Sequence, residues 1–223
     1  MYICIMFTLS EEKYLKAIYH LQAVSTKGIS TNAIAQELQT KASSVTDMVK
    51  KLADKKVLTY VKYQGVQLTP FGKKIAASII RKPRLWEVFL VEKLNFNWDE
   101  VHDVAEQLEH IKSEKLIDEL DVFLGYPKRD PHGDPIPDKE GNLKTPKQIL
   151  LADLELSQCG VCVGVKDSAT AFLQYLDQQK IALGVTIKVL RKEPFDQSLT
   201  IAIGDRQLTI SQKIATNLYI QLT

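Results

Sequence analysis

Residues 30–58, "STNAIAQELQTKASSVTDMVKKLADKKVL", constrain the fold more than any other stretch. Ser30 is placed to N-cap a short helix whose Ile34, Ala35 and Leu38 share one face. The break "TKAS" follows. The same apolar spacing then returns at Val45, Met48, Val49 and Leu52, with Ser43 or Ser44 as the expected cap. Two short helices joined by a tight break read as helix-turn-helix. Upstream, "LSEEKYLKAIYHLQAV" (9–24) predicts a helix capped by Ser10, with Tyr14, Leu15, Ile18, Tyr19 and Leu21 inward. Downstream, Tyr60–Tyr63 and Val66–Leu68 flank Gln64-Gly65, a hairpin turn. Thr69-Pro70 then reads as an N-cap with proline at the first helical position. Helix, helix, helix, hairpin is the winged form of helix-turn-helix.

Charge is distributed to match. Residues 1–84 hold 14 Lys and Arg against 5 Asp and Glu, while residues 85–145 hold 7 against 15. A basic N-terminal third attracts polyanions, and double-stranded DNA is the expected partner. The third helix should enter the major groove through its N-terminal residues. Ser43, Ser44 and Thr46 are expected to touch bases or phosphates, and Lys41 and Lys50 phosphates. Lys62, Tyr63 and Gln64 are expected to reach the neighbouring backbone or minor groove from the wing.

A long helix should follow from Pro70 to about Leu94, with a kink or break near residues 79–83, because Pro83 lacks an N–H and crowds the preceding turn. Asn97 and Glu100 have capping-box spacing for a helix running to about His110, and "SEKLIDELDVFLG" (113–125) continues or restarts it. Leu116, Ile117, Leu120 and Phe123 make an apolar stripe that suits either a dimer interface or packing within the chain. Residues 126–146 are dense in Pro, Gly and Asp and read as a linker or ordered loop. From Leu150, short β-like runs ("GVCVGV", "VTIKVL", "LTIAIG", "QLTIS") predict a small SH3-like β-barrel of about 75 residues. The fold expected is therefore a mainly α N-terminal part followed by a β-barrel. Its winged helix-turn-helix spans 1–72, a helical dimerisation and metal-binding part spans 73–145, and the barrel spans 146–223.

"VHDVAEQLEH" (101–110) carries the most chemistry. At 100° per residue, His102, Glu106, Glu109 and His110 fall on one arc of about 100°. Two imidazoles and two carboxylates suit a first-row divalent cation, and Glu87 on the preceding helix offers another oxygen. The same residues also describe a solvated helix face, and helical spacing alone favours that reading over a ligand set.

The order and spacing of "YLKAIYHL", "SSVTDMVKKL", "GVQLTPFGKKIA", "VHDVAEQLEH" and "PHGDPIP" resemble the diphtheria toxin repressor and manganese transport regulator family over nearly the whole chain. That family comprises metal-dependent transcriptional regulators. The resemblance implies a homodimer on a palindromic operator, with Mn²⁺ or Fe²⁺ as cofactor and repression of metal-uptake genes as the role. By position, Glu106, Glu109 and His110 match the family's primary metal site, and Glu87 and His102 its ancillary site. Glu106 stands where iron-type members usually have cysteine, and a carboxylate there suits the harder cations. Other ligand positions of the family hold Lys13, Lys16 and Pro83, and the barrel's Glu and Gln ligands align loosely with Ser168 and Ala171. The resemblance therefore leaves a same-fold regulator without metal sensing as one alternative. An adaptor acting through the barrel, which is similar to small domains linked to ferrous iron transport, is another.

Cys4, Cys159 and Cys162 make no disulfide framework, and Cys159 and Cys162, three apart in a strand pattern, should face opposite sides. Trp86 and Trp98 are expected to pack at helix interfaces. The apolar start "MYICIMF" lacks a basic region and is not read as a signal peptide, and no run approaches the roughly 20 apolar residues of a membrane span. A cytoplasmic protein is expected. No nucleophile–base pair or phosphate loop is visible, so catalysis is not.

Overall fold

The computed structural model describes residues 7–25, 28–61, 64–143 and 147–223. They form two compact units: the described residues up to 82 with 137–143, and residues 83–136 with 147–223.

In the first unit, α1 (Leu9–Val24) starts two residues earlier than a Ser10 cap would place it. Its cap is Thr8, whose hydroxyl accepts from Glu11 N while the Glu11 carboxylate accepts from Thr8 N, a closed capping box. Ser30 caps α2 (Thr31–Glu37) as its sequence predicts. The third helix, α3 (Ala42–Asp54), has Lys41 at its N-cap with no side-chain cap. Ser43 and Ser44 therefore lie inside the first turn rather than at the cap, and their hydroxyls stay on an exposed surface. Val45, Val49 and Leu52 bury the opposite face against Leu15, Ile18 and Ile34.

Strands β1 (Leu58–Val61) and β2 (Gly65–Leu68) pair antiparallel, Leu58 opposite Leu68. A further bridge joins Ile29 to Val66, each N–H donating to the other's carbonyl. That approach needs glycine. A Cβ on Gly28 would lie 2.0 Å from Gln64 O, and Gly65 sits at φ +93°. Lys62 and Tyr63 lie outside the described residues.

Helix α4 (Pro70–Leu94) opens on Thr69, whose hydroxyl accepts from Gly72 N. It runs through Pro83 without interruption, so the expected break is absent. Apolar anchors lie on both sides of the proline: Ala76, Ala77 and Ile80 before it, Leu85, Trp86 and Val88 after it. Burial on each flank holds the helix across the one missing hydrogen bond.

The second unit contains α5 (Val101–Leu108), α6 (Glu114–Phe123) and the sheet. Asn97 N donates to the Glu100 carboxylate, but this closes a turn, and α5 begins only at Val101 and ends at Leu108. The apolar stripe of α6 divides: Ile117 and Leu120 are buried, while Leu116 and Phe123 are exposed. The six-stranded sheet has the order β3-β8-β4-β5-β6-β7, its pairs antiparallel. The strands are β3 (Ile149–Leu150), β4 (Cys159–Val165), β5 (Thr186–Lys192), β6 (Leu199–Ile203), β7 (Arg206–Ile210) and β8 (Leu218–Leu222). Helix α7 (Thr170–Gln178) connects β4 to β5, and a short α8 (Gln212–Ala215) precedes β8. Leu173, Leu176, Ile187, Ile201 and Leu218 fill the interior. Cys162 points into it, where burial pushes its thiol up to about 11, and Cys159 is only half-buried.

Candidate metal centre

The second half of α4 turns Leu85, Trp86, Val88 and Leu90 into a small core with Val101, Ala105, Ile117 and Leu120. Glu87 lies among them and is only 4% exposed. A carboxylate does not stay in such a place without partners. Its Oε1 lies 3.1 Å from His102 Nδ1 and its Oε2 3.6 Å from His132 Nδ1. Burial works to raise its pKa. The hydrogen bonds from His102 and His132 and their charges outweigh that, and Glu87 is held at about 2. Both histidines are raised in return. For exposed His102 the Glu87 hydrogen bond is the main cause; for His132 burial pulls down, but Glu87 and the Trp98 carbonyl prevail.

His132 comes from the loop 128–136, which is folded on itself. Asp130 N donates to Asp134 O, Gly133 N to Asp130 O and Ile136 N to Lys128 O. Asp130 Oδ1 accepts from both His132 N and Asp134 N at 2.9 Å. Its Oδ2 lies 3.3 Å from Arg84 Nε, and Arg84 also grips Asp134 Oδ2 and Pro135 O. Asp130 is pushed up to about 7, first by burial and then by Asp134, against Arg84. His132 Nε2 lies 2.7 Å from Trp98 O. A carbonyl can only accept, so Nε2 carries the hydrogen and Nδ1 is the atom turned to Glu87.

Among the described residues, Glu87, Asp130 and His132 form a group whose potential ligand atoms all lie within 4.8 Å of one another, and all three are buried. His102 joins it through Glu87. Two carboxylates and two imidazoles are a mixed N/O donor set suited to a first-row divalent cation. Each Glu87–imidazole pair otherwise needs a proton between nitrogen and oxygen, and a cation supplies that positive charge instead. The residues fit the ion.

Of the five expected ligands, the structure brings together Glu87 and His102. Glu106 is exposed one turn beyond His102, near enough for its charge to act on that ring. Glu109 is half-buried and His110 exposed, both in the turn past the end of α5. These three do not join the buried group. Lys13 is exposed and Lys16 half-buried on α1, and Ser168 and Ala171 are exposed at the start of α7. Asp130 and His132 escaped a reading based on helical spacing because they sit in a loop. The available signal was a histidine and acids packed between prolines and glycines in "RDPHGDPIP", a composition that fixes a loop rather than loosening it.

On the DNA-binding side, Lys41, Ser43, Ser44 and Lys50 are exposed on α3 and Gln64 is exposed in the wing. Thr46 is half-buried, and its hydroxyl donates to Ala42 O at 2.9 Å. Lys51 and Lys55, farther along the same helix, are turned to Glu11.

Comparison with known proteins matches three family models along the chain. Residues 6–66 match the iron dependent repressor N-terminal DNA binding domain, residues 69–138 its metal binding and dimerisation domain, and residues 149–222 the FeoA domain. The transcriptional regulator MntR of Oceanobacillus iheyensis is 39% identical over 126 residues, covering 56% of this chain and 84% of that protein. The iron-dependent repressor IdeR of Mycobacterium leprae is 32% identical over 126 residues, covering 56% of this chain and 54% of that protein. A manganese-dependent transcriptional repressor solved in complex with manganese superposes with a TM-score of 0.84 at 32% identity, covering 96% of this chain and all of that one (100%). ScaR with bound Zn²⁺ gives 0.76 at 33% identity, covering 95% and 98%. The chain belongs to the diphtheria toxin repressor and manganese transport regulator family of metal-dependent, DNA-binding transcriptional regulators.

Proposed function

We infer that this protein is a homodimeric repressor that binds a palindromic operator when Mn²⁺ or Fe²⁺ occupies the centre around Glu87, and that its targets are metal-uptake genes. The buried Glu87 carboxylate between two imidazoles carries this reading. Glu87, His102, His132 and Asp130 hold the cation, with His132 Nδ1 and the Glu87 oxygens as its inner donors. Glu106, Glu109 and His110 are a second, more open donor group on the same helix and the turn after it. When bound, the cation supplies the positive charge that cross-links α4, α5 and the loop 128–136. It then favours the protomer geometry in which two recognition helices match two half-sites, so metal and DNA strengthen each other's binding by the same factor.

Within each protomer, residues 1–72 read DNA, residues 73–145 bind metal and dimerise, and residues 146–223 form the barrel. Ser43, Ser44 and Thr46 approach the bases or phosphates; Lys41 and Lys50 the phosphates; Lys62, Tyr63 and Gln64 the flanking backbone. The role is regulatory rather than catalytic, and it is exercised in the cytoplasm, where the operator is. The supporting facts are the basic N-terminal third and a family of transcriptional regulators. Among the described residues, no helix is long and apolar enough to cross a membrane.

Fluorescence anisotropy on the protein's own upstream DNA, with Mn²⁺, Fe²⁺ or chelator, tests the reading. Metal should tighten binding by at least tenfold in the wild type and leave Glu87→Gln nearly unaffected. Equal DNA affinity with metal and with chelator would remove metal from the mechanism.

A further inference from the structure

Trp98 contacts the metal centre and the sheet at once. Its carbonyl accepts from His132 Nε2 at 2.7 Å, and its indole lies nearly parallel to the imidazole, 13° between planes with centroids 6.3 Å apart. The far edge of the indole donates from Nε1 to Asp177 Oδ2 on α7 at 2.9 Å. The ring also packs on the core of the sheet domain. Next to it, Asp99 takes a hydrogen bond from Gln174 Nε2 at 2.9 Å, and its carbonyl one from Thr170 Oγ1 at 3.4 Å, both on α7.

The other side of His132 is held by β4. Its carbonyl accepts from Val165 N at 2.9 Å. Arg129 donates to Val163 O at 3.3 Å and to Gly133 O. Gly133 approaches so closely, at φ +90°, that a Cβ would stand 2.2 Å from Val163 O. Among the described residues, the bonds that hold this loop from outside it and the ring's own bond to Trp98 thus lead to the sheet domain, directly or through Trp98.

We propose that Trp98 is a positioning residue that, anchored by Asp177, lets the C-terminal barrel set the tautomer and direction of His132 and so tune the metal affinity of the centre. This rests on the metal-centre reading above. The barrel is then a working half of the sensor rather than an attached adaptor. A ligand's hydrogen-bond partners typically shape its affinity for metal strongly. Here the partner is a backbone carbonyl, which mutation cannot delete, so the accessible handle is the indole-to-carboxylate bond that anchors it.

Calorimetric titration of Mn²⁺ into the full-length protein tests this, with Co²⁺ absorption as a second readout of ligand geometry. Trp98→Phe keeps the ring stack and the carbonyl but loses the Nε1 donor. Asp177→Ala removes the acceptor from an exposed position and spares the core. Each should weaken Mn²⁺ binding roughly three- to tenfold, the scale of one lost hydrogen bond. The double variant should be no weaker than either single one, since both delete the same bond. Asp177→Asn, which keeps an acceptor oxygen, should stay within about twofold of wild type and restore its Co²⁺ spectrum. Unchanged affinity and spectrum in Trp98→Phe and Asp177→Ala, with the wild type binding normally, would overturn the inference alone. Additive losses in the double variant would overturn it too. A wild type that takes up no Mn²⁺ at this centre would overturn the metal-centre reading and this inference with it.

Discussion

Of the buried carboxylates among the described residues, Asp130 is raised, whereas Glu11 and Glu87 are both held at about 2, for different reasons. Glu87 faces imidazoles, whose protons a metal can replace. Glu11 faces ammonium groups, which hold a fixed charge: Lys55 Nζ at 2.8 Å and Lys51 Nζ at 3.2 Å, with Thr8 N donating to its other oxygen. Burial raises Glu11, and the Lys55 hydrogen bond, Thr8 and Lys51 reverse that. A carboxylate depressed on folding contributes stability above its unfolded value of 4.5, and this is lost as pH falls toward 2. Glu11→Gln should therefore cost about 1–3 kcal/mol at neutral pH. The gap from wild type should close between pH 4.5 and 2 in urea titrations. A gap independent of pH would show that the charge contributes nothing. Glu11 also shows how a readable signal can be passed over. "TLSE" contains a complete Thr-x-x-Glu box, but Ser10 is itself a good capping residue, and only the reciprocal bond distinguishes Thr8.

At the scale of elements, periodicity made most of the fold legible. Helices α1 to α3, the hairpin, and β4 to β7 of the sheet lie close to where apolar spacing of 3.6 or 2 put them, because each buries one face, whereas that spacing does not single out β3 and β8. The bounds of α4 were legible too, but not its continuity: Pro83 carries a local signal for a kink or break, yet buried residues on both flanks carry the helix through it unbroken. If the proline is only tolerated there, Pro83→Ala restores a backbone hydrogen bond. It should raise the stability of the protein by about 1–3 kcal/mol, read as a higher melting temperature. A lower melting temperature would mean that contacts of the ring outweigh the bond it forfeits. The loop 128–136 was illegible for the opposite reason. It has no period, its shape comes from Asp130 and Arg84 satisfying its backbone, and so the two candidate ligands it presents carry no pattern along the chain.

At the scale of the molecule, composition placed a boundary near residue 145, whereas packing gathers residues 83–136 and 147–223 into one compact unit. The bonds responsible, Trp98 to Asp177 and Val165 to His132, join residues 79 and 33 positions apart. Local sequence carries no trace of pairings at that distance. The charge asymmetry, by contrast, was plain in the sequence and bears directly on binding. With Lys41 and Lys50 on phosphates, as proposed above, binding releases counterions, so operator affinity should fall steeply with salt, by about a thousandfold or more between 50 and 200 mM for 6 to 10 phosphate contacts. Lys50→Ala should weaken binding to all sequences alike and lower the slope of log K against log salt by about one per protomer. A shallow salt dependence in the wild type, or a slope that Lys50→Ala leaves unchanged, would remove these lysines from the interface.

The backbone stitching of the wing has a mechanical consequence. Ile29 and Val66 exchange two hydrogen bonds, and Gly28 and Gly65 permit an approach that no side chain would allow. A Cβ on Gly72, in the first turn of α4, would likewise stand 1.6 Å from Val57 O. The root of the hairpin is thus pinned to the segments on either side by main-chain contact, and its distance from the recognition helix is a fixed gauge. Rotamer changes cannot stretch it. In the operator binding proposed above, DNA whose groove spacing departs from that gauge would have to adjust itself, by twisting or bending, and the stiffness of its base steps would then enter what is selected.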